Sequence, residues 1–367
     1  MKMLWKQCFW SYSRNRRSKT AGELSRRIPD LKSAGFHSGN LKSKVQNPKL
    51  VVLLGALLFV LCHSANAQQQ VPRIGVLLQG GPWYDAVNGL RQGLKELGYE
   101  EGKQFALDIR DLKGEPKAVE PAAQSLERDK VKLIYAVASS VVAGAKNATT
   151  EVPIVFNVGS DPVEAGLVEN FVKPGGRLTG VHFLVRDLTG KRLEILKELI
   201  PKLRSVVTVY SLGNQVAKES AKLAREEAKR LGLKLIERHV SSVEELRSTL
   251  QGLKVGEADA FFYTPDAMVG SQTQLIIDTA RAKKLASMFQ DSGLVAKGGL
   301  ASYGQNYYEL GRLSAKYVQK VIGGTPPRDL RIDTVEDVEL AINLTTAKAL
   351  GLTIPPNVLA RAQKVIR

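Results

Sequence analysis

Residues 154 to 181 read IVFNVGSDPVEAGLVENFVKPGGRLTGV, two apolar β-like runs held apart by two breakers. The run from Pro153 to Val158 is short, β-branched and apolar, as suits a strand buried on both faces of a parallel sheet. Gly159, Ser160, Asp161 and Pro162 end it. Pro174-Gly175-Gly176 is the second breaker, and Leu178 to Val181 resumes an extended run. In an open α/β sheet the loops at the carboxyl ends of strands line the ligand crevice, so Asn157 to Asp161 is a candidate binding edge. A capped turn with no ligand accounts for the same residues.

Outward from this stretch the pattern repeats. Upstream, Arg73 to Leu78 reads as a strand, Trp83 to Tyr99 as a helix with Val87, Leu90, Leu94 and Leu97 at helical spacing, and Phe105 to Asp111 as a strand. A helix opened by Pro116 and a strand over Lys132 to Val137 follow, then a short helix after Ser139 and Ser140. Downstream, a helix over Asp187 to Ile200 leads to a strand at Ser205 to Ser211, a helix over Gln215 to Leu231 capped by Asn214, and a strand at Lys234 to Val240. Ser242 and Glu245 form a capping box for the next helix, followed by the strand Ala258 to Thr264, a helix over Ala267 to Lys284 and the strand Ser287 to Gln290. Such alternation predicts an α/β chain of two Rossmann-like lobes with parallel sheets, and the tail is too short for a third domain. The expected division is 68–182 for lobe 1, 183–291 for lobe 2, 292–326 returning to lobe 1, and 327–367 returning to lobe 2. Crossings are expected near Thr179 to Phe183, Asp291 to Lys297 and Gly323 to Pro327, together making a multi-strand hinge.

The charge is unevenly spread. Of the net charge of +17, the stretch up to Lys49 supplies +10, from 12 basic residues against Glu23 and Asp30. Leu50 to Leu61 is uncharged and apolar but short for a membrane span, and Ala65-Asn66-Ala67 has the small-x-small form of a signal-peptidase site. Residues 1–67 therefore read as a signal peptide with a long basic leader, cleaved after Ala67, which exports the mature protein. The remaining +7 is spread along helices without an arginine-rich arm, so nucleic acid is not an expected partner. Both cysteines, Cys8 and Cys62, precede the cleavage site, leaving no thiol for catalysis or disulfides.

Catalytic signatures are missing too: there is no Gly-x-Ser-x-Gly, no phosphate loop and no His-Glu-x-x-His. His182 and His239 are the only histidines after residue 67; His182, beside a strand, reads first as structural and second as cleft-facing. No enzyme activity, cofactor or metal is expected. Strand-end loops supply the better signal. Ser139 and Ser140 stand at a helix start, where hydroxyls and free backbone N–H groups suit a carboxylate, although one serine can serve simply as the cap. Asp161 and Asp266 can hold an ammonium or hydroxyl, or accept within their own turns. Trp83 can stack on an apolar ligand portion or pack in the core. Gln79, Asn157, Ser160, Thr264, Asp291 and Tyr303 complete the candidate set by the same placement, with Tyr263 and Gln290 weaker. In the sharpest version, Ser139, Ser140 and the Ser160-Asp161 loop hold one end of a zwitterion and Asp266 the other.

Several motifs together resemble the periplasmic substrate-binding proteins of ABC transporters, in the group that includes binders of tryptophan and other aromatic amino acids. They are Pro153-Ile154-Val155-Phe156, Ser160-Asp161-Pro162-Val163, Ala165-Gly166-Leu167-Val168, Thr179-Gly180-Val181, Gly190-Lys191-Arg192-Leu193, Ser302-Tyr303-Gly304 and Ile342-Asn343-Leu344. The resemblance spans nearly all of Arg73 to Arg367 and implies the type I binding-protein fold. It also implies residence in the periplasm, a small-molecule solute such as an amino acid or other small carboxylate, an ABC permease in the inner membrane as partner, and a monomer. Ser139-Ser140 and Asp291-Ser292-Gly293 depart from the group's pattern in ligand loops, so the solute stays open. Two other classes remain: a periplasmic sensing module that signals to a receptor, and a secreted α/β hydrolase, which would need a nucleophile beside a base.

Overall fold

The structure, a computed structural model, describes residues 71 to 367. The basic leader, the apolar run and the cleavage site read after Ala67 lie outside the described residues. The first series of elements is β1 (Arg73–Leu78), α1 (Trp83–Glu96), β2 (Ala106–Asp111), α2 (Val119–Arg128), β3 (Leu133–Val137), α3 (Ser139–Ala148), β4 (Ile154–Val158) and β5 (Leu178–Phe183). The second is α4 (Leu188–Leu199), β6 (Ser205–Tyr210), α5 (Gln215–Arg230), β7 (Lys234–His239), α6 (Val243–Gly252), β8 (Ala260–Phe262), α7 (Ala267–Ser271), α8 (Thr273–Ala282) and β9 (Ala286–Phe289). The tail adds α9 (Ser292–Ala296), β10 (Ala301–Gly304), α10 (Tyr307–Ile322), β11 (Asp333–Val335), β12 (Glu339–Asn343), α11 (Leu344–Ala349), α12 (Pro356–Leu359) and β13 (Lys364–Ile366).

The strands form two sheets, ordered β11-β5-β4-β3-β1-β2 and β13-β12-β10-β9-β8-β6-β7. Every pairing in the first is parallel. In the second only β10 against β12 is antiparallel. Both sheets reverse direction of growth at one place, between β1 and β3 in the first and between β6 and β8 in the second. Each sheet is covered on both faces. Ile74, Val76 and Leu78 of β1 face one apolar cluster with α1 and α10, while Leu77 faces another with α2 and α3. Likewise Val206 and Phe262 pack with α4 and α5, and Val207 and Phe261 with α6 and α8. Strands buried on both faces read as continuous apolar runs, which is why the sequence shows them plainly.

The first lobe is closed by a long-range helix pair. At α1 against α10, a Cβ on Gly89 would sit 1.8 Å from the carbonyl oxygen of Tyr308, and one on Gly311 would sit 1.8 Å from that of Ala86. Only glycine lets these backbones touch. The tail thus returns to the first lobe through α10, and β11 pairs with β5 at that sheet's edge.

Two expectations need correction here. The return to lobe 1 does not begin at residue 292: α9 and β10 belong to the second lobe, because β10 pairs with β9 and β12. The three crossings follow β5, lie between β10 and α10, and lie between β11 and β12. Gly323 to Pro327 ends a helix without changing lobes, since a breaker fixes a turn and not the partner of the next strand. Second, the helix expected over Ala267 to Lys284 is broken at Gln272, whose φ of −104° and ψ of 24° leave the helical region.

Candidate functional site

A small cavity, partly open to solvent, lies between the lobes. Its wall comes from strand carboxyl ends: Trp83 after β1, Ala138 to Ser140 after β3, Gly159 after β4, and Phe183 and Val185 at and after β5. The second lobe adds Asn214 and Val216 after β6, Pro265 to Ala267 after β8, and Gln290 after β9; Tyr307 opens α10. The loops on either side of both switch points therefore converge on one cavity, as parallel α/β sheets dictate.

The cavity has two ends of different chemistry. On one side Trp83 and Tyr307 stack with ring centroids 6.4 Å apart, and Phe183 meets Tyr307 edge-on at 6.0 Å. On the other, Ser139 and Ser140 begin α3. Ala138, just before them, has φ 85° and ψ 139°, a conformation costly for any residue with a Cβ. It turns the chain sharply from β3 into the helix. The Ser139 hydroxyl accepts from the Ser160 backbone N–H at 3.2 Å, joining the loops after β3 and β4.

Ser139, Ser140, Asn214 and Val216 are shared with a wider vestibule, open to solvent, which Ser160, Asp161 and Arg186 also line. Arg186 straps the mouth. Its guanidinium meets Glu164 of the first lobe at 3.1 Å and Glu219 of the second at 3.3 Å. The hydrogen bond to Glu164, with the other acids around it, raises its pKa further.

The candidate residues thus divide. Trp83, Ser139, Ser140 and Asp266 line the cavity, and Ser160 and Asp161 line the vestibule. The Asp161 carboxylate accepts from the N–H groups of Val163 and Glu164, so it holds its own turn. Asp266 differs from expectation: one oxygen accepts from Met268 and Val269, the other from Ser211, at 2.9 to 3.1 Å. Burial raises its pKa, and these N–H groups oppose the shift. A carboxylate so committed caps α7 and has little capacity left for a ligand ammonium.

Gln290, a weaker candidate, also lines the cavity, and the remaining candidates stand outside the lining. Asn157 bridges the Tyr135 and Ser314 hydroxyls, 2.7 Å from each, inside the first lobe. Thr264 bonds Thr208 at 2.8 Å beneath the second sheet's strand ends, and Tyr303 packs against the second lobe's core. Gln79 is buried, its side-chain carbonyl unpaired among the described residues. Asp291 caps α9 through Gly293 and receives the N–H of Tyr307 at 3.0 Å; burial, aided by Asp85, pushes its pKa up to about 7. In each case the side chain points along the sheet or into a helix start, a choice that strand-end position leaves open. His182 packs edge-on against Phe171 and lies 3.5 Å from the Thr334 hydroxyl, away from the cavity, and burial lowers its pKa.

Phe183, Val185, Asn214, Val216 and Tyr307 were not nominated. Asn214 follows β6 as Ser139 follows β3, so the same rule was available for it. Tyr307 had no such signal, because α10 reaches the cavity only through the tail's crossing.

The family profile described as ABC transporter substrate binding protein matches residues 73–366. A tyrosine-binding protein of Clostridioides difficile is 29% identical over 268 residues, 73% of this chain and 76% of the relative. A solved ABC domain in complex with L-Trp from Streptococcus pneumonia is 27% identical with a TM-score of 0.71, covering 80% of this chain and 99% of that one. A ligand-free, open substrate binding protein from Clostridium difficile, 28% identical over 81% of this chain and 99% of its own, has a TM-score of 0.54. At nearly equal identity, the chain as a whole superposes better on the L-Trp complex than on the ligand-free, open form.

Proposed function

The chain belongs to the ABC transporter substrate-binding protein family, and from that premise we propose that it captures an aromatic amino acid between its lobes for delivery to a membrane permease. One observation carries the reading: the cavity pairs a Trp83–Tyr307 stack with small hydroxyls at the start of α3. The aromatic surface that Trp83 and Tyr307 give the cavity suits contact with an aryl or indole side chain, and the Ser139–Ser140 end suits its polar head group. The relatives named for tyrosine and L-Trp point the same way.

Capture works by closure. A ligand shifts the open–closed balance only through contacts it gains in the closed form, and a cavity lined from both lobes supplies such contacts. The Arg186 strap across the mouth adds a salt-sensitive contribution of its own. Export through cleavage after Ala67, residence in the periplasm and action as a monomer complete the proposal. Among the described residues, no helix is long and apolar enough to cross a membrane.

The test is mass spectrometry of the solute released from purified protein, followed by calorimetric titration of the twenty amino acids. An aromatic amino acid, recovered unchanged and bound more tightly than the aliphatic ones, is the expected result. Tightest binding of a sugar or an aliphatic amino acid would sink the aromatic assignment.

A further inference from the structure

Arg192, in the first turns of α4, is the largest fully buried side chain of the described residues, with 0% of its surface exposed. Its Nη2 donates to the Val185 carbonyl at 2.8 Å and to the Thr189 hydroxyl at 2.9 Å. Its Nε and Nη1 are buried and have no partner among the described residues. Its charged and titratable neighbours are phenols, Tyr307 and Tyr263, and no carboxylate among the described residues stands within salt-bridge distance. The two buried acids beside those phenols, Asp266 and Asp291, are occupied by backbone N–H groups.

An unpaired buried guanidinium costs several kcal/mol of desolvation, on the order of that for any buried ion, unless an anion balances it. Burial draws the pKa of Arg192 down to about 10, which leaves it charged at neutral pH. Val185 and Tyr307, which flank it, both line the cavity. Gln290 presents a second uncommitted group at the same wall: its amide donates to the Tyr307 hydroxyl while its own carbonyl is unpaired.

We propose that Arg192 is the fixed counter-charge of the cavity, acting from behind the Val185–Tyr307 wall to select solutes that carry a carboxylate over the corresponding amines. The inference rests on the cavity being the solute site. It makes Arg192 a positioning residue, which sets the potential of the cavity without displacing Ser139 and Ser140 from the head group.

The experiment titrates parent, Arg192→Met and Arg192→Lys with matched pairs: L-tryptophan and tryptamine, L-tyrosine and tyramine, L-leucine and isoamylamine. The parent should prefer the amino acid of its best pair by roughly tenfold or more, the scale of a buried unit charge acting across a side-chain wall and not through direct contact. Arg192→Met should lose most of that preference while its empty form melts no lower than the parent, because a buried charge has been removed. Arg192→Lys should keep part of the preference. A merely structural arginine predicts the opposite, a lowered melting temperature with the preference intact. Should Arg192→Met fail to fold, Arg192→Gln keeps donors toward Val185 and Thr189 without the charge and gives the same reading. A parent that binds leucine but neither aromatic amino acid sinks the aromatic reading and still allows the Arg192 comparison. A parent that binds an amine as tightly as its amino acid, that binds none of the acids, or a neutral variant whose preference is unchanged overturns the counter-charge.

Discussion

The two lobes share one strand order at their switch points, β2-β1-β3-β4-β5 in the first and β7-β6-β8-β9-β10 in the second, yet they equip the cavity differently. The first lobe brings a strained turn at Ala138 and serine hydroxyls facing the cleft. The second brings Asp266, whose oxygens are taken up by three backbone N–H groups. A repeated fold thus repeats the place where a ligand binds and not the groups that bind it. Substitutions in the second lobe's loop should act first on stability, and those in the first lobe's loop on affinity.

The largest expected break of this contrast is Asp266→Ala. Losing a helix cap and leaving buried donors unpaired should destabilise the empty protein by about 2–4 kcal/mol, measured by chemical denaturation. A variant as stable as the parent would show that the carboxylate is free for ligand after all.

Next comes pH. Asp291 has a folded pKa raised to about 7 by burial, above its unfolded value, so the folded state holds its proton more tightly than the unfolded one. Its contribution to stability is therefore fully present below the unfolded pKa and is lost as pH rises toward about 7. Asp291→Asn should flatten that part of the pH–stability curve, which denaturation between pH 4 and pH 8 reads directly. An unchanged slope would remove Asp291 as its source.

Ala138→Gly sharpens the contrast from the other side. At φ 85° the substitution relieves strain and should raise stability by about 1 kcal/mol despite the greater freedom of glycine in the unfolded chain. Lower stability would mean that the backbone is held there without cost. Smallest is Ser140→Ala, which removes one neutral hydrogen bond. It should weaken solute binding by about fivefold, roughly 1 kcal/mol, and leave the melting temperature of the empty protein in place. Unchanged affinity would take Ser140 out of the site.

Much of the fold was legible because buried parallel strands are written as local apolar runs. Pro153 to Val158 and Arg73 to Leu78 each fell on a strand, and the breakers Gly159 to Pro162 ended one as read. The site was legible only as positions. Strand-end placement nominated Trp83, Ser139, Ser140 and Asp266, which line the cavity, together with Asn157 and Thr264, whose side chains are engaged inside their own lobes, and Asp291, which is taken up by its own helix start and by the Tyr307 N–H at the start of α10. The difference between these groups is one of side-chain direction and available hydrogen-bond partners, which depend on neighbours far away in the chain. Asn157, for example, is claimed by Ser314, a residue of the returning helix α10.

By itself, then, the sequence determined the two-lobed parallel architecture and the loops where a ligand could sit, since period and breakers are local properties of the chain. Tertiary structure decided where the tail crosses, because β10 reads alike whichever sheet it joins and only pairing with β9 and β12 places it. It also decided which polar groups are spent and which are left over. The backbone N–H groups that occupy Asp266, and the want of any carboxylate near Arg192 among the described residues, arise from contacts between distant segments that no local pattern records.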